Sequence, residues 1–111
     1  MLTLTTEERA WLEAYRSALE ERFPGQVERL IIYGSKARGD AGLDSDLDVL
    51  MLIRAGDWRL KKALSLVGYD LAVGTDVVPS IQVYTFAEWS RLEARQSVFR
   101  EAIEREGVSV R

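Results

Sequence analysis

The stretch Ile31-Ile32-Tyr33-Gly34-Ser35-Lys36-Ala37-Arg38-Gly39-Asp40-Ala41-Gly42-Leu43-Asp44-Ser45-Asp46-Leu47-Asp48-Val49-Leu50-Met51-Leu52-Ile53 decides the fold. An apolar run with β-branched residues ends at Gly34-Ser35, and a second begins after Asp46-x-Asp48. Each run reads as a strand. The second is apolar on both faces, as expected of a strand in the middle of a sheet covered on both sides. Between them Ser35 can cap a short helix through Arg38, which Gly39 ends. Asp40 to Ser45 reads as loop.

Outward from this stretch, the other elements follow from spacing and capping signals. Thr5-Thr6-Glu7-Glu8 is a capping-box helix start. Leu12, Tyr15, Leu19 and Phe23 then form an inward stripe up to Pro24-Gly25, with Trp11 beside the stripe and partly exposed. Val27 begins the first strand. Asp57 caps a helix whose Leu60, Leu64, Val67 and Leu71 face inward, with Gly68 as a mild defect and Gly74 near its end. Asp76 to Tyr84 reads as a third strand, and Pro79 inside it implies an edge or a bulge. Thr85-Phe86-Ala87-Glu88 is another capping box, Ser97 breaks and recaps the following helix although Trp89, Leu92, Phe99 and Ile103 also fit one uninterrupted helix, and Val108 to Arg111 is a tail. The expected fold is α/β: a small mixed β-sheet flanked by helices, in a single domain over residues 1–111.

Composition narrows the chemistry. There is no cysteine and no histidine. Disulfides, thiol nucleophiles, Cys/His zinc sites and imidazole acid-base catalysis are therefore excluded. Any catalysis must use carboxylates, hydroxyls, amines or a metal held by oxygen. The net charge of −3 argues against a broad nucleic-acid footprint, which needs a clustered basic face. No apolar run approaches the about 20 residues of a membrane span, and Met1 to Glu7 lacks the pattern of a signal peptide. A cytoplasmic protein is expected.

The candidate site lies in the opening stretch. Residues i and i+2 of a strand share a face, so Asp46 and Asp48 present two carboxylates side by side. Like charges at that spacing raise each other's pKa, and a hard cation held by both relieves the repulsion. Mg²⁺ characteristically takes one or two carboxylates plus substrate phosphates. Taken alone, the pair also reads as a turn closure and a solvated sheet end. Gly34 allows close backbone approach, and a helix N-terminus with a serine hydroxyl suits phosphate. Taken alone, Gly34-Ser35 also reads as an ordinary strand-to-helix junction. Arg38 alone reads as a surface ion-pair partner, and Asp40 and Asp44 as solvated loop acids.

The combination is more specific than its parts. Gly34-Ser35-x-Ala37-Arg38-Gly39 followed after the loop by Ser45-Asp46-x-Asp48 resembles the signature of the DNA polymerase β superfamily of nucleotidyltransferases. The short chain, and its ending Phe99 to Val108, resemble the minimal nucleotidyltransferase branch. The resemblance implies that Gly34 and Ser35 hold the β- and γ-phosphates of a nucleoside triphosphate, ATP being the expected one, with Arg38 in the same phosphate-binding turn. It implies that Asp46 and Asp48 ligate Mg²⁺ for in-line transfer of a nucleotidyl group to a hydroxyl. It also implies a partner, because minimal nucleotidyltransferases are typically paired with a helical HEPN-domain protein. In such toxin-antitoxin pairs the transferase is the antitoxin, in some cases placing AMP on a partner tyrosine.

One position departs from the pattern. Active members carry a third carboxylate on the third strand, where this chain has Ser80 and Gln82 at the central polar positions. Asp76 has the right parity but stands at the strand's start, as a possible substitute. Three functions therefore stay open: an active transferase, an antitoxin-like nucleotide-binding subunit acting by contact, and a small-molecule transferase of the aminoglycoside type. Nothing in the chain beyond the core supplies an acceptor domain, which disfavours the last.

Overall fold

Helix α1 (Thr6–Arg22) starts where the capping box places it, with Thr5 and Glu8 exchanging bonds. Strand β1 (Val27–Tyr33), the short helix α2 (Ser35–Arg38) and strand β2 (Leu47–Ile53) follow. The structure is a computed structural model and describes residues 1–111 except Ala41, Leu43 and Asp44. The loop reading of residues 40–45 and the solvated-acid reading of Asp44 thus fall partly or wholly outside the described residues. Helix α3 (Trp58–Ala72) is capped by Asp57, whose carboxylate accepts from the Arg59 and Leu60 N–H groups. Strand β3 (Pro79–Thr85), helices α4 (Phe86–Ala94) and α5 (Val98–Glu106), and a two-residue strand β4 (Val108–Ser109) complete the chain. No described helix is long and apolar enough to cross a membrane.

The sheet order is β3-β2-β1-β4. β1 is antiparallel to β2 and β4, and β2 is parallel to β3. The sheet is mixed, as expected. β2 sits inside it with both faces covered, which explains its unbroken apolar run. Alternation sends Leu47, Val49, Met51 and Ile53 to one face, where α1 and α3 supply Trp11, Tyr15, Leu19, Leu64 and Val67. Leu50 and Leu52 go to the other face, against Trp89, Leu92, Phe99 and Ile103 of α4 and α5. Each fully buried Leu or Ile contributes about 1.5–3 kcal/mol, so these two layers hold the sheet between them.

Several local expectations are corrected. Trp11 is buried, because its indole N–H donates to the Gly68 carbonyl at 2.8 Å. Gly68 is a fit rather than a defect: a Cβ there would meet Ile81 Cδ1 at 2.6 Å and Tyr15 Cζ at 2.9 Å. Leu71, expected to face inward, is exposed in the last turn of α3. β3 begins at Pro79 and not at Asp76, since proline suits a strand's first position. The tail is not free: β4 pairs with Ile31 and Ile32, and Val110 N–H donates to the Leu30 carbonyl.

The outer edge of β3 is nearly without free donors. Pro79 has no N–H, the Ile81 N–H donates to the Tyr69 hydroxyl, and the Thr85 N–H donates to Glu88. Strand alternation leaves Val83 as the outward donor between them.

Candidate active site

The end of β1, α2 and the start of β2 meet at one corner of the sheet. Gly34 turns the chain with φ +74° and ψ −154°, in a region open essentially to glycine. It is the N-cap of α2, and its carbonyl accepts from the Ala37 and Arg38 N–H groups, both at 3.1 Å. Ser35 is therefore the first helical residue and not the cap. The first-turn N–H groups of a helix have no partner within the helix.

Asp48 lies directly across the sheet from Tyr33 on β1 and from Ser80 on β3. A Cβ on Gly34 would run into Asp48 Oδ2. The glycine is thus what lets a carboxylate rest against the turn. Asp46, just before the strand, is exposed, while Asp48 is half-buried. Burial pushes the Asp48 carboxyl above the ordinary range, Asp46 pushes it further the same way, and Arg38 opposes both. The two acids and Arg38 therefore share one electrostatic neighbourhood. Burial and Asp48 also push the Tyr33 phenol up to about 12. Arg38 is tethered at the rim, donating to Asp40 at 3.2 Å and to Glu106 at 3.4 Å. Asp40 is exposed, as a solvated loop acid should be.

The third-strand positions facing this corner carry no acid. Ser80 is in register with Asp48 and Gln82 with Leu50. Asp76 lies three residues before β3. Its backbone N–H donates to Glu7, and it borders a cleft of about 730 Å³ with Thr5, Thr6, Lys36 and Ser45 at the start of α1. No three acidic side chains come together among the described residues. The donor set at the corner fits a hard divalent cation with two protein ligands: carboxylate oxygens whose repulsion a cation relieves, and a glycine that keeps space beside one of them. Water and phosphate oxygens would complete the shell.

Sequence reasoning missed one member of the corner. Lys36 is buried, with its ammonium 3.1 Å from the equally buried Glu8 carboxylate. This pair bolts α2 to the first turn of α1, and the Thr3 N–H adds a bond to the Lys36 carbonyl. A lysine in a Gly-Ser-Lys turn carries no local signal of burial. Among the described residues it pairs with the acid of the capping box, 28 residues earlier in the chain.

The model of the family described as nucleotidyltransferase domain matches residues 12–105. The chain belongs to this family. The match covers the turn at Gly34-Ser35, both acids of Asp46-x-Asp48, and every helix layer of the fold, and it confirms the resemblance to the DNA polymerase β superfamily. Nucleotidyltransferases of this family act by nucleotidyl transfer and typically use a divalent metal. This nucleotidyltransferase is also 37% identical over 46 residues to a Methanocaldococcus jannaschii protein named "putative protein adenylyltransferase". The likeness covers 41% of this chain and 45% of that protein, less than half of either.

Proposed function

We propose that residues 1–111 form a single minimal nucleotidyltransferase domain that transfers AMP from ATP to a protein hydroxyl, on a helical HEPN-type partner in a toxin-antitoxin pair. The observation that carries this reading is the contact of the Asp48 carboxylate with Gly34, which makes the acid pair and the glycine turn one site instead of two. The protein hydroxyl as acceptor is supported by the name of the archaeal relative.

Asp46 and Asp48 would hold Mg²⁺, which when bound neutralises phosphate charge. Gly34 gives the triphosphate close access to the backbone, and the Ser35 hydroxyl donates to a phosphate oxygen. Arg38, tethered by Asp40 and Glu106, adds positive charge at the rim. The attacking hydroxyl loses its proton as the bond to the α-phosphorus forms and pyrophosphate leaves. Ser80 and Gln82, in register with Asp48 and Leu50, are not bases, so in this reading the partner protein supplies the group that takes the proton.

That same absence favours a second reading, a subunit that binds nucleotide and masks its partner by contact. Transfer of labelled AMP with Mg²⁺ separates the two. The isolated chain is expected to transfer weakly and to gain turnover with its partner. Asp46→Asn with Asp48→Asn should abolish Mg²⁺-dependent ATP binding in calorimetry with an unchanged circular dichroism spectrum, and binding that survives would end the assignment. Asp76→Asn should be nearly silent, because Asp76 lies with α1. A large loss of turnover from Asp76→Asn would show that it serves as the third acid.

A further inference from the structure

We propose that the outer face of α3 is the interface of a two-fold dimer of this chain. Leu64 and Val67 point to the core, and the opposite side of the helix should be polar in a solvated element. Here it carries Trp58 (63% exposed), Leu66 (43%), Tyr69 (39%) and Val73 (78%). Leu66, Tyr69 and Val73, with Lys62, recur at intervals of four, three and four residues, which is one stripe along the helix. Leu66, Tyr69 and Val73 are exposed together, and an exposed apolar patch on a small domain marks a contact surface.

The charges within the stripe identify the occupant. Lys62 and Asp70 are exposed, and neither makes an ion pair with another described residue. Lys62 stands four residues before Leu66 and Asp70 four residues after it. A second α3 laid antiparallel about Leu66 therefore sets Lys62 of each copy against Asp70 of the other. The same rotation brings Trp58 of each copy toward Val73, the C-cap of the other copy's α3. A two-fold interface requires this kind of self-complementarity, in which each residue of a pair meets the other twice. An acceptor does not account for the stripe. The acids share the face of Leu50 and Leu52, under α4 and α5, whereas α3 covers the opposite face. The dimer leaves the corner at Gly34 and Asp48 open.

Sedimentation equilibrium on the intact chain tests this without nucleotide or activity, so it stands or falls apart from the proposed function. A monomer-dimer equilibrium with Kd on the order of tens of micromolar is expected, as suits an interface below the standard size. Lys62→Asp should weaken the dimer by about tenfold or more, since it creates two like-charge contacts. Adding Asp70→Lys should return Kd to near the starting value, because the pair is then merely reversed. Leu66→Glu should leave a monomer whose circular dichroism spectrum is unchanged. A folded chain that stays monomeric up to roughly 1 mM overturns the proposal, including the case where another protein is found on the stripe. A dimer indifferent to Leu66→Glu, or one that the charge swap does not restore, overturns it equally.

Discussion

Replacing Gly34 by alanine separates the two tasks of that residue. The first task is conformational. At φ +74° and ψ −154°, a non-glycine residue is strained by about 1–3 kcal/mol. For a domain of this size that strain lowers Tm by about 4–12 °C, at about 4 °C per kcal/mol. The second task is clearance. The new methyl would clash with Asp48 Oδ2. A carboxylate can swing aside, and leaving its rotamer well costs about 0.5–1.5 kcal/mol. The total loss should thus be about 1.5–4.5 kcal/mol, measured by urea denaturation. In an Asp48→Ala background the clearance part vanishes and only strain remains, so a double-mutant cycle should return a coupling of about 0.5–1.5 kcal/mol. Binding should fall more than stability, because the displaced carboxylate no longer rests beside the turn. Gly34→Ala that melts like the parent would refute the conformational argument. A coupling of zero, together with intact Mg²⁺-dependent ATP binding, would refute the clearance argument.

Three further outcomes are expected. Lys36→Met should cost about 3–5 kcal/mol by leaving Glu8 charged and buried; pairing it with Glu8→Gln, which keeps the capping bond to Thr5, should recover much of that loss in urea melts. Gly68→Ala should destabilise by about 1–2 kcal/mol despite a gain of about 1 kcal/mol in helix propensity, because Ile81 and Tyr15 already fill the space; a raised Tm would contradict this packing. Glu88 is held below the ordinary carboxylate range, first by its bond from Lys61 and then by the Thr85 cap. A lowered folded value stabilises above the ordinary range, and the benefit is lost as pH falls through the folded value. Glu88→Gln should therefore cost about 1 kcal/mol at neutral pH, with the gap to the parent closing in acid; a gap that persists there would assign the effect to packing.

The central elements were legible because their determinants are local. β-branched runs stop at glycines, and the bounds Val27–Tyr33, Ser35–Arg38 and Leu47–Ile53 fall where the chemistry changes. The acid pair was legible because strand parity is fixed by covalent geometry. What was illegible depends on distant partners. β4 is two residues with no pattern, made a strand by Ile31 and Ile32. Trp11 is buried by a carbonyl 57 residues away. Lys36 looks solvated in any local window and is buried only because α1 brings Glu8 over it.

The blunted outer edge of β3 determines how this domain can grow. A sheet margin with a full row of outward donors is a template that any extended chain can lengthen, including another copy of itself. With proline, a phenol and a capping carboxylate consuming its neighbours, Val83 offers a single rung, too few to seat a strand. Association by sheet extension is closed on this side, and the opposite margin is the two-residue β4. Crowded copies, or a newly made chain beside a folded one, therefore meet through helices, where contacts depend on side-chain fit and can be undone.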